Sequence, residues 1–545
     1  MPPVSRCSFN PDRCSMAVVR PLNATGGYPA NQHSAFSGHV ARSAVLVASL
    51  FAADKMLGVV REAAVGRAFG TSAVLDAYFA AFEVPEGLNT IVTGAALTTS
   101  LIPLLTTVIA RGNRDDLWRF VSSVINWVLI VVGVSSLVAV AFARSIIVTV
   151  APGFAGDSAQ VELATQLMRL VLIQTLIFSA STLVTGTLQA HRHFLLPALS
   201  PLFYTLGRIF GAVALAPHMG IFGLAWGGLA GAVAHLLVKL PWLVRHKARW
   251  VPVLFHSELP NLLRLMAPRM LGMGVTYVNF ILPTTFGSRL PPGSISAYEY
   301  GWKLMQLPET VLGTALGIVA LPTLAAMAER GDQDGLRRAF SWALRLVLAV
   351  TVPAGAGLVL LGRPLTVLFL QRGAFDAAAT DRVYWALRFF ALGLVGHAAL
   401  EVVARLFYAR RDMWMPLWAA LGGLAVNAGL GWLLLPALAH GGIALSNGLG
   451  AWLQVAVLLT VAQRWLGGIE GRALGKTLVR TLGATAVMTA AVLSVRLALP
   501  ATGTVVGSVL GLGAGAVTYL LAALLLGSEE IASLPRLLTR RGGRS

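Results

Sequence analysis

Four ionisable residues, Asp54, Lys55, Arg61 and Glu62, crowd the first ten positions of "ADKMLGVVREAAVGRAFG", residues 53–70, within a mostly apolar segment. On a helix advancing about 100° per residue, they fall with Gly58 and Val65 inside an arc of about 120°. They therefore form one face. Asp54 and Arg61, and likewise Lys55 and Glu62, are two turns apart and too distant to pair within the helix, which assigns their partners to other helices or to a ligand. Gly58, in the middle, lets something approach the backbone. A charge at the bilayer centre costs at least about 2.5–3.5 kcal/mol, so such a face turns toward a bundle interior or a water-filled cavity and marks a functional site.

Two later segments carry the same chemistry. In "APRMLGMGV" Arg269 stands three residues before Gly272, as Lys55 stands before Gly58, and "AYEYGWKLMQLP" supplies Lys303 with Glu299 one turn earlier. Lys55, Arg61, Arg269 and Lys303 around a wet cleft suit an anionic ligand, most naturally a phosphate or pyrophosphate. A second reading stays open beside this one: the cations pair with Asp54, Glu62, Glu83 and Glu299 as latches, which open as substrate enters. Arg169, Arg208, Arg345, Arg388 and Arg405 lie near expected span ends, where snorkelling to the interface accounts for them. Asn279, Asn427 and Asn447 are read as interhelical hydrogen bonders. "HRH", 191–193, reads as a loop anchor. The sequence has no P-loop, nucleophile elbow, HExxH or zinc spacing, so it reads as neither an enzyme nor an ATP-driven pump, and with no metal site.

The elements that position these residues are membrane helices. Of 545 residues 56% are hydrophobic and only 12% charged, and mean hydropathy is +0.73. Apolar stretches of roughly 20 residues, enough to cross about 30 Å of hydrocarbon, recur from about residue 43 to 527. Runs such as "VINWVLIVVGVSSLVAVAFA", 124–143, are apolar on every side, which excludes an outer-membrane barrel. We read an all-α polytopic membrane protein with 14 spans, among them 78–108, 121–149 and 295–326. Loops after even-numbered spans hold fourteen basic residues against five after odd-numbered ones, which places both termini in the cytoplasm. The formal charge of +19 is then loop retention and not nucleic-acid binding. Cys7 and Cys14 lie in a polar leader without the apolar run of a signal peptide.

An internal repeat organises the spans. "PLLTTVIARGNRDDLWR", 103–119, matches "PTLAAMAERGDQDGLRR", 322–338, and the same shift carries "QAHRHFLLP" onto "YARRDMWMP" and "GLAWGG" onto "GIALSN". The unit is six spans, an even number, so the halves are parallel repeats about an axis along the membrane normal. The expected parts are a disordered cytoplasmic extension, 1–40; a first lobe, 41–250; a second lobe, 251–468; two added helices, 469–528; and a basic cytoplasmic tail, 529–545.

The segments "DKMLGVVREAAVGRAFGTSAVLDAYFAAFEVP", "VTVAPGFAG", "LMQLPETVLGTALGIVALPTLA" and "LFYARRDMWMP" resemble the MurJ/MviN family of lipid II flippases, within the multidrug/oligosaccharidyl-lipid/polysaccharide exporter superfamily. The resemblance implies two lobes in a V around a cationic cavity and a groove for a polyprenyl tail at the last two helices. It implies movement of undecaprenyl-pyrophosphate-linked disaccharide-pentapeptide to the outer leaflet of the bacterial inner membrane by alternating access, with division or cell-wall synthesis proteins as further partners. Arg61 matches the family's basic residue of the first helix, Lys55 and Lys303 stand where Arg is usual, Asp76 matches the acidic residue of the first hairpin, and Glu62 replaces Asp. In span 2 the chain has Glu83, Asn89 and Thr90 where many members are basic, so its cavity is less basic. Another lipid-linked oligosaccharide flippase, a cation-coupled small-molecule exporter of the same superfamily and a non-transporting scaffold are the alternatives. No cofactor is implied; a monovalent cation or the membrane potential is left as the energy source.

Overall fold

The computed structural model describes residues 30–310, 313, 315–498 and 504–533, without the side chains of residues 30–45 and of several later helical residues, Arg269 among them. The chain divides into two compact units, residues 1–49 and 50–545. Helix α1 (Ala30–Phe69) begins inside the stretch expected to be an extension; after Pro29 no proline interrupts the chain until Pro85. It is followed by α2 (Ala73–Val92), α3 (Ala95–Ala110), α4 (Arg114–Ala141), α5 (Ala143–Val150), α6 (Ser158–Ala190), α7 (Leu195–Phe210), α8 (Ala216–Met219), α9 (Ile221–Leu237) and α10 (Leu240–Arg245). The second series is α11 (Leu259–Gly287), α12 (Ser294–Glu309), α13 (Ala315–Glu329), α14 (Gln333–Leu370), α15 (Ala377–Ala409), α16 (Trp414–Leu438) and α17 (His440–Trp465), and α18 (Gly471–Ala498) and α19 (Thr504–Leu525) close the chain. Among the described residues there is no strand. Among the described residues nine helical stretches, two of which join neighbouring helices (Leu195–Met219 and Ile221–Arg245), are long and apolar enough to cross a membrane, ten if the bent α11 counts as one.

The repeat is visible in the caps and turns, where local chemistry dictates geometry. Asn113 caps α4 by accepting from the backbone of Asp115 and Asp116, and its counterpart Asp332 caps α14. Asp157 caps α6 as Asp376 caps α15. A short side-chain acceptor satisfies the orphan N–H groups of the first turn, so the same cap restarts the helix in both halves. Arg192 and Arg411 share a positive φ of 58° and 61°, and Gly220 at 58° is matched by Ala439 at 48°. Ala439 holds without glycine's freedom the turn that Gly220 makes easily.

Two expected spans are broken. The stretch 78–108 divides into α2 and α3, because Thr93 turns its hydroxyl back onto the Asn89 carbonyl and side chain and Gly94 leaves the helical region with ψ −149°. In the stretch 295–326 the described helices are α12 and α13, and Thr310 and Gly313 between them take π-helical geometry. Phe142, with ψ 15°, separates α4 from α5 within 121–149. Such breaks free backbone groups that a protein-lined cavity satisfies better than lipid does. Helix α11 bends by 49° between Leu259–Ala267 and Gly272–Gly287, where Pro268 removes a ladder hydrogen bond.

One core lies where α1 turns into α2. There Val65, Leu75 and Tyr78 pack with Ile295, Tyr300 and Phe375, so helices from both halves close on each other, and the backbone N–H of Ala374 donates to the Arg67 carbonyl at 2.9 Å. The first part of α11 instead packs on the first half, with Leu262 and Met266 against Leu105 and Phe120. Helices α18 and α19 pack on α14 through Met488, Val492 and Tyr519 against Ala349 and Leu361. Glu530, at the start of the expected cytoplasmic tail, is buried there and accepts from Thr477 at 2.7 Å, with Arg345 at 3.5 Å.

Candidate functional site

The charged face of α1 lines a cavity. Asp54, Lys55, Gly58, Arg61 and Glu62 face Thr205 of α7, Tyr300, Lys303 and Gln306 of α12, and Phe369 of α14 around a volume of ≈ 310 Å³. That is near the small end of ligand sites, ~300–1,000 Å³, enough for a compact anionic group but not for a large glycopeptide beside it. A side chain at Gly58 would meet nothing within 4 Å, so the glycine leaves open space in the wall.

Two cations share one carboxylate at the centre. Arg61 donates from Nε and Nη2 to Glu62 Oε1 at 2.9 and 2.6 Å, and Lys303 Nζ donates to Glu62 Oε2 at 3.0 Å. Adjacent helical residues do not normally face each other; here the long guanidinium wraps sideways around α1, a pairing the two-turn spacing argument overlooked. The Glu62–Lys303 bond is the expected contact to another helix, and it joins the two halves. The Lys303 ammonium also lies 4.7 Å from the Phe79 ring centroid, a favourable cation–π distance. Asp54 Oδ1 accepts from the Thr205 hydroxyl at 3.1 Å.

Of the four carboxylates read as latches, only Glu62 forms an ion pair among the described residues. Asp76, 2% exposed, accepts from the backbone N–H of Gly293 at 2.6 Å and of Ser296 at 2.7 Å. It is the cap of α12 supplied from α2: a carboxylate is favoured at a helix N-terminus, where N–H groups lack partners. Glu83 takes a hydrogen bond from the Thr284 hydroxyl, and the Tyr277 hydroxyl donates to its backbone carbonyl, so α2 is tied to α11 by neutral donors. Glu299 lies one turn before Lys303, within electrostatic reach of Lys303, Glu62 and Glu83. Arg269 is carried on α11 at the bend, and its side chain is outside the described residues.

Arg208 corrects the snorkelling reading. Its guanidinium does not run to an interface but lies among the Tyr78, Phe82 and Tyr204 rings, 5.8–6.0 Å from each centroid. Lys239 was also missed: fully buried, it donates to the Ser181 carbonyl and hydroxyl at 3.0 and 2.8 Å and reaches His235 Nδ1 at 3.3 Å. The available signal was the spacing of His235 and Lys239, four apart in an otherwise apolar stretch. The asparagines do bond between helices, Asn427 to Asn279 at 2.7 Å and Asn447 with His397 at 3.0 Å.

Comparison with known proteins sets this geometry in a family. Residues 65–512 match the family model of the lipid II flippase MurJ. The lipid II flippase MurJ of Burkholderia cenocepacia is 30% identical over 430 residues, 76% of this chain and 82% of its own length. The probable lipid II flippase MurJ of Rhizobium tropici is 30% identical over 421 residues, covering 75% of this chain and 78% of that protein. Among solved structures, a lipid II flippase MurJ in an inward closed conformation superposes with a TM-score of 0.77 at 21% identity, over 88% of this chain and 98% of that one. An inward-facing MATE multidrug transporter of the MOP superfamily gives 0.64 at 16% identity, over 78% and 96%; at such identities the likeness is one of fold. With a family model spanning most of its length and curated relatives at 30% identity, the chain belongs to the MurJ family of lipid II flippases.

Proposed function

We propose that this protein carries lipid II from the cytoplasmic to the outer leaflet of a bacterial inner membrane by alternating access, gripping the diphosphate in the cavity beside α1. The observation that carries this reading is Glu62 shared between Arg61 and Lys303, because it makes one cationic site out of both halves of the chain. With the cavity empty of anion, the carboxylate keeps two like charges together. A diphosphate offers each cation a better partner, and Arg61 can meet it with two parallel N–H donors where Lys303 meets it as a point charge. Releasing Glu62 loosens a charged contact between the halves, so binding and opening are coupled through the same atoms. Lys55, which lines the cavity, and Arg269 are assigned to the same anion. Asp54, Asp76, Glu83 and Glu299 hold the surrounding helices.

The whole protein in this reading has 14 spans in two six-helix lobes forming a V, with both termini cytoplasmic, and α18 and α19 forming a groove for the polyprenyl tail. The parts are the 1–40 extension, lobes at 41–250 and 251–468, the pair at 469–528 and the tail at 529–545. Its partners are the lipid-linked disaccharide-pentapeptide and the bilayer. The test is replacement of a conditionally depleted lipid II flippase in cells: the native chain should restore growth, while Arg61→Ala and Lys303→Ala should not, at equal membrane abundance. Failure of the native chain, correctly inserted, overturns the reading.

A further inference from the structure

We propose that Arg208 is the reserve counter-ion of Glu62: it takes over this carboxylate when Arg61 and Lys303 turn to an anionic diphosphate, and so sets how tightly the cavity holds it. The inference rests on the proposed diphosphate reading and adds a positioning residue to it.

Arg208 is a charge held without commitment. It donates from Nη2 to the Tyr78 hydroxyl at a long 3.3 Å. Its Nε is buried without a hydrogen-bond partner. Among the described residues no carboxylate makes a salt bridge with it, although Glu62 and Glu86 both lie within its electrostatic reach. A guanidinium has five donors in a fixed fork and is charged at every accessible pH. Three aromatic faces and one phenol stabilise that charge less than a carboxylate does, since cation–π contacts are weak beside a charge-assisted pair. The arrangement is therefore poised toward whichever neighbouring carboxylate loses its partners.

Glu62 is that carboxylate. Both of its oxygens are occupied by Arg61 and Lys303, and these are the groups a diphosphate must recruit. Unless another cation replaces them, the incoming anion leaves Glu62 bare beside it, which incurs both desolvation and like-charge repulsion. Arg208 removes that penalty without crossing the cavity, because it approaches from α7, where Thr205, one turn away, already lines the same wall. The charge count agrees. The cavity lining holds three cations, Lys55, Arg61 and Lys303, against Asp54 and Glu62, one positive charge in excess, whereas a lipid-linked diphosphate carries at least one negative charge on each phosphate. Arg208 supplies the second.

The test is a double-mutant cycle on the purified full-length protein in lipid nanodiscs, with undecaprenyl diphosphate as the probe and undecaprenol as the uncharged control. Arg208→Gln should weaken diphosphate binding by about tenfold or more, within the range of coupled charge pairs, and leave undecaprenol binding unchanged. Arg208→Lys should recover most of the affinity. Glu62→Gln added to Arg208→Gln should restore binding to within about threefold of Glu62→Gln alone, since the carboxylate needing compensation is gone. A structural role for Arg208 predicts no such rescue. Native affinity in Arg208→Gln, or a loss that Glu62→Gln leaves uncorrected, overturns the proposal while the native protein's binding upholds the diphosphate reading. No preference of the native protein for the diphosphate over undecaprenol overturns both. Thermal unfolding and monodispersity of each variant separate lost binding from lost fold.

Discussion

Glu62 does at the residue scale what a pairwise inspection of α1 misses, because one carboxylate sets the state of two cations. Glu62→Gln should therefore bind free pyrophosphate more tightly than the native protein while transporting lipid II more slowly, since the cations are permanently released from the contact that closes the halves. Equal affinity in a titration of the two proteins would separate Glu62 from ligand binding. Asp76 makes the opposite prediction. Its hydrogen bonds go to backbone N–H groups of a helix start, so Asp76→Ala should lower stability by about 1–2 kcal/mol, the usual cost of a lost cap, read as a fall in the thermal midpoint in detergent, with diphosphate affinity retained in the folded fraction.

At the scale of elements, glycines separate the helices that must touch from the face that must stay open. A side-chain carbon on Gly227 of α9 would lie 2.4 Å from Gly211, and one on Gly207 of α7 2.4 Å from Gly231: the two backbones are in contact, the close packing small residues allow between membrane helices. Gly227→Val should force these helices apart and reduce recovery of monodisperse protein, overpacking of this kind costing about 1–3 kcal/mol or more. Gly58→Leu should fold normally, because nothing stands within 4 Å of that position, yet should abolish complementation by filling the cavity. Size-exclusion profiles beside growth assays distinguish the two outcomes. Where α3 meets α11, Arg111 pairs with Glu258 at 2.6 Å. Hydrogen bonds from Asn261 and then Arg111 hold the Glu258 carboxyl below its ordinary range, so this contact stays charged throughout neutral pH.

For the whole molecule the predicted consequence is alternation. Helices of both halves close where α1 meets the 371–375 turn, and a side-chain carbon on Gly66 would stand 3.2 Å from the Phe375 ring. In a chain with Cys7 and Cys14 changed to serine, Gly66→Cys with Phe375→Cys should cross-link under oxidant, stop flipping in vesicles, and regain it on reduction. Cross-linked protein that still turns over would show that this end need not open.

Much of the architecture was legible in the order of residues because it is local. Asn113, Asp157, Asp332 and Asp376 announce helix starts, and Gly220 announces the turn that Ala439 repeats. The charged face of α1 followed from helical periodicity alone. Partnership did not: nothing within α1 says that Glu62 reaches Lys303, or that Asp76, far from α12 in sequence, caps it. Arg208 was misread because nearness to a span end says nothing about which way an arginine turns once three rings enclose it. The sequence by itself determined a helical membrane protein, its repeat, and the side of α1 that carries charge, since each follows from hydropathy, turn chemistry or the pitch of one helix. Only the tertiary structure decided which charges share a carboxylate and which stand in reserve, because that depends on how separate helices pack and on what each buried polar group finds within reach.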